Sequence, residues 1–211
     1  MREEKKGMFV YTYSAEPGHE SSLYVNLTNR CTNRCTFCIR NNADGIGGGT
    51  QLWLSHEPSV DEVIAALLEY DPSKYDEVVF CGYGEPTIRI DELIAVAKWL
   101  KEHYNVKTRI NTNGHANEFH GRDVTPLFAG TIDTVSVSLN AANAEEYDQL
   151  CRSIYGERAY EILLDFAKEA KKHTNVVLSI VDIMEPEDIE ACKKIAADAG
   201  VPLKIREYVE D

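Results

Sequence analysis

The sequence predicts an α/β fold built on a parallel sheet. Two observations predict it: strand-like and helix-like runs alternate from end to end, and most of the strand-like runs are β-branched and apolar on both faces. Strands buried on both faces belong to a parallel sheet covered by helices. Six β/α units are too few to close an eight-stranded barrel but enough for a curved one left open on one side. This partial (βα)6 TIM-like barrel is the expected architecture, with an open doubly wound sheet as the runner-up.

An opening run at 8–13 reads as a short strand, with a turn at Glu16-Pro17-Gly18. The first core strand is 23–27, and a long loop follows it. Ser59 then opens a helix: its hydroxyl can cap the first turn while Glu62 reaches back, a capping box. Val60, Val63, Ile64, Leu67 and Leu68 form one apolar stripe on that helix. The second strand is 77–81, and its helix, 91–103, turns Leu93, Val96, Ala97 and Leu100 inward. The third strand, 106–111, ends in Asn111-Thr-Asn-Gly114, a turn signature. A short helix at 124–128 leads to strand four, 134–139. Asn143 caps a helix from Glu145 that breaks near Gly156 and resumes with Leu163, Phe166, Ala167 and Ala170 on one face. Strand five is 176–181; its helix starts at Glu185-Pro186 and stops at Gly200, and strand six is 202–208.

At 211 residues the chain is long enough for one substantial core, and we expect a single domain over 1–211 with 1–20 as an N-terminal extension. No apolar run approaches the length that spans a bilayer. The start, Met1-Arg-Glu-Glu-Lys-Lys6, lacks the apolar stretch of a signal peptide, so a cytoplasmic protein is expected. With 22 basic against 35 acidic side chains the net charge is −13, which repels nucleic acid and anionic lipid. Lys171-Lys172-His173 and Lys193-Lys194 are the nearest basic clusters, and both lie among acids on helix faces. Nucleic acid and membrane are therefore not expected partners.

Six cysteines in such a compartment argue against a disulfide framework. Cys151 and Cys192 fall on apolar helix stripes and read as small core residues, while Cys81 ends a strand. The other three stand within eight residues, Cys31-Thr-Asn-Arg-Cys35-Thr-Phe-Cys38, on the loop leaving the first core strand. Thiolates select iron–sulfur clusters, zinc or copper(I) over hard cations. Three of them leave one metal position open for chemistry.

In parallel α/β folds ligands bind at the carboxyl ends of the strands. Those ends supply Asn29 and the cysteines, Gly82-Tyr-Gly-Glu85-Pro86, Asn111, Thr112 and Asn113, then Ser136, Ser138 and Asn140, Ser179 and Asp182, and Arg206 and Glu207. Any one polar strand end is accounted for by the loop that begins there; a cysteine triad on the same rim is not. At Gly82 and Gly84 a ligand can approach the backbone, whose carbonyls accept hydrogen bonds from an ammonium, and Glu85 adds a carboxylate for the same cation. Without the cysteines, a tight turn into a helix would be the better reading of that segment.

The Cys-x3-Cys-x2-Cys loop, with an aromatic before its third cysteine, resembles the radical S-adenosylmethionine (SAM) superfamily. Gly82-Tyr-Gly-Glu-Pro86 is similar to that superfamily's Gly-Gly-Glu-Pro motif, with Tyr83 where the second glycine stands. The likeness covers 22–209. Within the superfamily, Leu23 to Arg40, with Leu52-Trp-Leu54 and Glu57-Pro-Ser59 beyond, resembles the small proteins associated with TatD-type nucleases.

The resemblance implies that Cys31, Cys35 and Cys38 hold a [4Fe–4S] cluster whose fourth iron chelates SAM. It implies Phe37 against adenine, Gly82, Tyr83, Gly84 and Glu85 around the ammonium, and Ser138 and Asn140 at the ribose or carboxylate. Arg206 is a candidate for substrate contact, with a rim salt bridge as the alternative. The implied reaction is reductive cleavage of SAM to a 5′-deoxyadenosyl radical that takes hydrogen from a small-molecule or protein substrate. The electron would come from a flavodoxin- or ferredoxin-type donor. A deazaguanine synthase-like or glycyl-radical activase-like enzyme also fits the size. The alternative of another class is a zinc-binding structural or interaction protein, with His56 or His115 completing the three cysteines.

Overall fold

The computed structural model describes residues 8–12, 22–41 and 51–206. The expected turn at Glu16-Pro17-Gly18, the glycine-rich run 44–49 and the last residues of the expected final strand lie outside the described residues. The fold is α/β, and its strands follow one another in chain order without closing, as an open (βα)6 barrel requires. The chain divides into two compact units, Met1–Arg30 with Ile39–Ile110 in the first and Cys31–Cys38 with Asn111–Glu210 in the second.

In the first unit β1 (Val10–Tyr11) lies antiparallel to β2 (Ser22–Val25), Tyr11 opposite Tyr24. The connection from Tyr11 to Ser22 is too short for a parallel crossover, which takes about a dozen residues or more. The opening strand is thus an antiparallel edge on an otherwise parallel sheet. β2 pairs in parallel with β3 (Glu77–Phe80), and β3 with the first residues of β4 (Lys107–Thr112), Phe80 opposite Ile110.

Helix α1 (Val60–Tyr70) carries the expected capping box. The Glu62 amide donates to Ser59 Oγ at 3.3 Å, and Glu62 Oε2 accepts from the Ser59 amide at 2.8 Å. Helix α1 buries Val63 and Leu67, α2 (Ile90–His103) buries Leu93, Val96 and Leu100, and Leu23, Val78 and Phe80 are buried in β2 and β3.

In the second unit β5 (Thr134–Ser138), β6 (Asn175–Val181) and β7 (Leu203–Arg206) are parallel, Val137 opposite Leu178 and Ile180 opposite Ile205. Four helices accompany them: α3 (Ala116–His120), α4 (Ala144–Cys151), α5 (Arg158–Ala170) and α6 (Pro186–Ala199). Asn143 Oδ1 caps α4 by accepting from the Glu146 amide at 3.0 Å. The expected break falls between α4 and α5, where Gly156 has φ of 57°. Helix α3 is absent from the sequence reading, and the expected helix at 124–128 is the 3-10 turn Thr125–Phe128. Cys151 and Cys192 are fully buried, as core residues should be.

Candidate functional site

The chain enters the second unit for Cys31–Cys38 and is latched there by backbone bonds to the end of α4. The Arg34 amide donates to the Cys151 carbonyl, the Thr36 amide to the Leu150 carbonyl and the Ile154 amide to the Thr32 carbonyl, each at 2.9 Å. The loop is fixed by these main-chain groups together with the contacts of its cysteines. All three cysteines are half-buried and outside any disulfide. Phe37, between Thr36 and Cys38, is half-buried as well.

Two N–H groups face Cys31 Sγ: the Asn33 amide at 3.4 Å and Asn113 Nδ2 at 3.8 Å. Donors of this kind favour the thiolate, the form that binds metal. Cys35 is different. It is hydrogen-bonded to Cys151, and that bond together with burial pushes its thiol well above the ordinary range. Metal binding would have to displace that proton. Cys151 also receives Asn140 Nδ2 at 3.8 Å.

Beneath the loop lies a layer of buried polar side chains. Thr32 Oγ1 is 3.1 Å from His115 Nδ1 and accepts from Asn113 Nδ2 at 2.8 Å. Asn113 Oδ1 accepts from the His115 amide at 3.1 Å. Tyr147 OH is 3.5 Å from His115 Nε2 and accepts from Asn33 Nδ2 at 3.0 Å. Burial lowers the His115 pKa to about 4, so the imidazole is neutral near neutral pH. Of this layer, the sequence marked Asn113 as a strand end and His115 as a zinc candidate. Thr32, Asn33 and Tyr147 carried no local signal, because their partners are remote in sequence.

In the first unit, the turn after β3 is built against the exit from β2. A Cβ on Gly84 would meet the Thr28 carbonyl oxygen and, at 2.6 Å, that of Arg30, while one on Gly82 would strike the Asn26 side chain. Close approach of backbone at Gly84, and of the buried Asn26 side chain at Gly82, is why glycine stands at these positions. Asn26 is buried, with Nδ2 donating to the Leu52 carbonyl at 2.7 Å and Oδ1 without a protein partner among the described residues.

Tyr83 is accommodated in a core cluster with Tyr11 and Leu52, and Trp53 meets its ring edge-on at 5.1 Å. Glu85 is 5 % exposed, and its Oε1 accepts from the Thr87 amide at 3.1 Å and the Thr87 hydroxyl at 2.6 Å. It caps the 3-10 helix Pro86–Arg89, a role absent from the sequence reading.

At the end of β5, Ser138 is half-buried and Asn140 is buried with φ of 56°, the left-handed region that asparagine tolerates. The Leu139 amide donates to the Ser179 carbonyl at 2.8 Å, which holds this strand end in register. Asn140 Oδ1 has no protein partner among the described residues. Arg206 is half-buried on β7, and Cys81 offers its carbonyl to Tyr11 OH at 3.2 Å. The structure thus joins Cys31 with Asn113, and Asn140 with Cys35 through Cys151.

The radical SAM superfamily model matches residues 25–199. The chain belongs to the radical SAM superfamily. Its similarity to curated proteins points the same way. It is 26 % identical over 190 residues to "Probable GTP 3',8-cyclase" of Thermococcus kodakarensis, covering 89 % of this chain and 56 % of that protein. To the protein of the same name from Methanosarcina acetivorans it is 31 % identical over 132 residues, 62 % of this chain and 36 % of that one. To molybdenum cofactor biosynthesis protein 1 of Dictyostelium discoideum it is 22 % identical over 193 residues, 90 % of this chain and 29 % of that one. The chain spans about half or less of the length of these relatives.

A radical SAM enzyme uses a [4Fe–4S] cluster and SAM, and the residues present fit that pair on two counts. The donor set is three soft thiols with N–H groups directed at Cys31 Sγ. Asn140 supplies a buried oxygen without a protein partner among the described residues. Among the described residues no three His, Cys, Asp or Glu side chains are gathered to hold a single ion. A cubane makes no such demand, since each thiolate takes a separate iron. The histidines of the zinc alternative are engaged elsewhere, His115 with Thr32 and Tyr147, and His56 Nε2 with Glu62 at 3.0 Å. No helix among the described residues is long and apolar enough to cross a membrane.

Proposed function

We propose that this radical SAM enzyme cleaves SAM reductively and abstracts hydrogen from a small organic substrate, with Cys31, Cys35 and Cys38 holding its cluster. The observation that supports this reading is the cysteine loop itself: three half-buried thiols on eight residues, latched to the end of α4 by backbone bonds. When bound, the cluster and SAM supply the one-electron cleavage and the 5′-deoxyadenosyl radical. The chain's own residues bind and orient. The Asn33 and Asn113 N–H groups stabilise the Cys31 thiolate. Backbone at Gly82, Tyr83 and Gly84 receives the SAM ammonium, and Glu85 holds the shape of that turn as a cap. Phe37 packs on adenine, and Ser138 Oγ and Asn140 Oδ1 take a ribose hydroxyl or the carboxylate. The reducing electron comes from a flavodoxin- or ferredoxin-type protein, in the cytoplasm.

For the substrate, the names of the relatives favour a purine nucleoside triphosphate, cyclised as GTP is by a GTP 3',8-cyclase. The string from Leu23 to Arg40 favours instead the branch associated with TatD-type nucleases. Reduced, cluster-loaded protein with SAM should release 5′-deoxyadenosine slowly, and faster with its substrate. Acceleration by GTP, with a cyclised product, supports the cyclase-like reading; acceleration only by other metabolites supports the branch. A protein that yields no 5′-deoxyadenosine under any reductant defeats both.

A further inference from the structure

We infer that Asn113 is a positioning residue for the cluster, its side-chain amide donating to Cys31 Sγ and so favouring the reduced cluster. The inference rests on the proposed role of Cys31 as a ligand. Asn113 is 7 % exposed, and both ends of its amide are committed. Oδ1 accepts from the His115 amide at 3.1 Å, and a backbone N–H can only donate. Flipping the amide would set two donors face to face, so Nδ2 must point toward Thr32 Oγ1 at 2.8 Å and Cys31 Sγ at 3.8 Å.

The contacts continue behind it. The Thr32 hydroxyl lies 3.1 Å from His115 Nδ1, and His115 Nε2 lies 3.5 Å from Tyr147 OH. Tyr147 in turn is hydrogen-bonded to Cys151, which contacts Cys35. One buried chain of hydrogen bonds therefore runs from the Cys31 sulfur to the Cys35 sulfur. Its anchor is rigid: Gly114, with φ of 79°, leaves no room for a Cβ beside Leu163 and donates to Thr112 Oγ1 at 3.0 Å. Each electron added to a cluster increases its negative charge, and N–H donors at the sulfurs stabilise that state and raise the potential.

The test is the Asn113→Leu variant, which keeps the side chain's size and neutrality and loses the donor. Reconstituted anaerobically and poised at a fixed potential, it should show a reduced-to-oxidised cluster ratio about tenfold below wild type, about 59 mV for one electron. Leu163→Ala, a core change beside Gly114, should lower unfolding stability and leave the potential unchanged. A merely structural Asn113 would behave like Leu163, and a fully loaded Asn113→Leu cluster at the wild-type potential overturns the inference. Should that variant fail to load, wild type grown with asparagine labelled with 15N in the side-chain amide decides. The reduced cluster must then show hyperfine coupling to that nitrogen, and its absence overturns the inference. Wild-type protein that takes up no cluster at all overturns the ligand assignment, and this inference with it.

Discussion

The Glu85 amide donates to the Arg30 carbonyl at 2.8 Å, one residue before Cys31. The turn after β3 is thereby tied to the exit from β2, and Gly84 sits where Thr28 and Arg30 present their carbonyls.

Gly84→Ala should spoil this joint. Backbone carbonyls cannot yield as a long side chain can, so the turn must open. We expect overpacking to cost ~1–3 kcal/mol of stability in urea titrations. SAM affinity, measured by equilibrium dialysis on loaded protein, should fall by about tenfold or more, as ~1.4 kcal/mol of misplacement implies. Wild-type affinity in this variant would remove the turn from the SAM site.

What the sequence made legible was local. Ser59 and Glu62 are three residues apart, and the capping box forms as their spacing predicts. Asn143 and Gly200 mark helix ends in the same way. The cysteine loop was legible because its ligand set is contiguous. The layer beneath it was not, because Thr32 and His115 are 83 positions apart and nothing local announces their contact. Helix α3 has five residues, too few for periodicity to register, although Gly121 caps it in the left-handed region. A carboxylate beside glycines suggests a partner for a cofactor cation, whereas the bonds of Glu85 to Thr87 appear only once the turn is folded.

Serine at any one of Cys31, Cys35 or Cys38 should abolish the reduced-state paramagnetic resonance signal and most of the bound iron. Cys151→Ser and Cys192→Ala should keep the cluster, because Cys192 is core and Cys151 is presented to Cys35 rather than to metal. Iron retained by Cys35→Ser but lost from Cys151→Ser would exchange their roles.

Asn140→Gly isolates the amide. Glycine adopts the φ of 56° without strain, so a change in SAM affinity reports the lost side chain and not a distorted backbone. One lost hydrogen bond corresponds to ~0.5–1.5 kcal/mol, or roughly twofold to tenfold in affinity, and Ser138→Ala should fall in the same range. Unchanged affinity in both variants would place the cofactor elsewhere.

His115 should make the cluster-free protein acid-sensitive. Its unfolded imidazole takes a proton near pH 6.5, whereas burial holds the folded one neutral down to about 4. Between those values the unfolded state binds more protons, so stability falls as pH falls. The contribution is fully present above 6.5 and gone below about 4, and it amounts to roughly 3 kcal/mol over the window. Carboxylates titrate over the acid part of the same range, so the comparison is with His115→Asn, which shares them. Urea unfolding at intervals from pH 7 to 4.5 should show wild type losing stability more steeply than the variant. Equal slopes would mean that the folded imidazole can accept its proton, and that the buried layer under the cysteine loop is open to water.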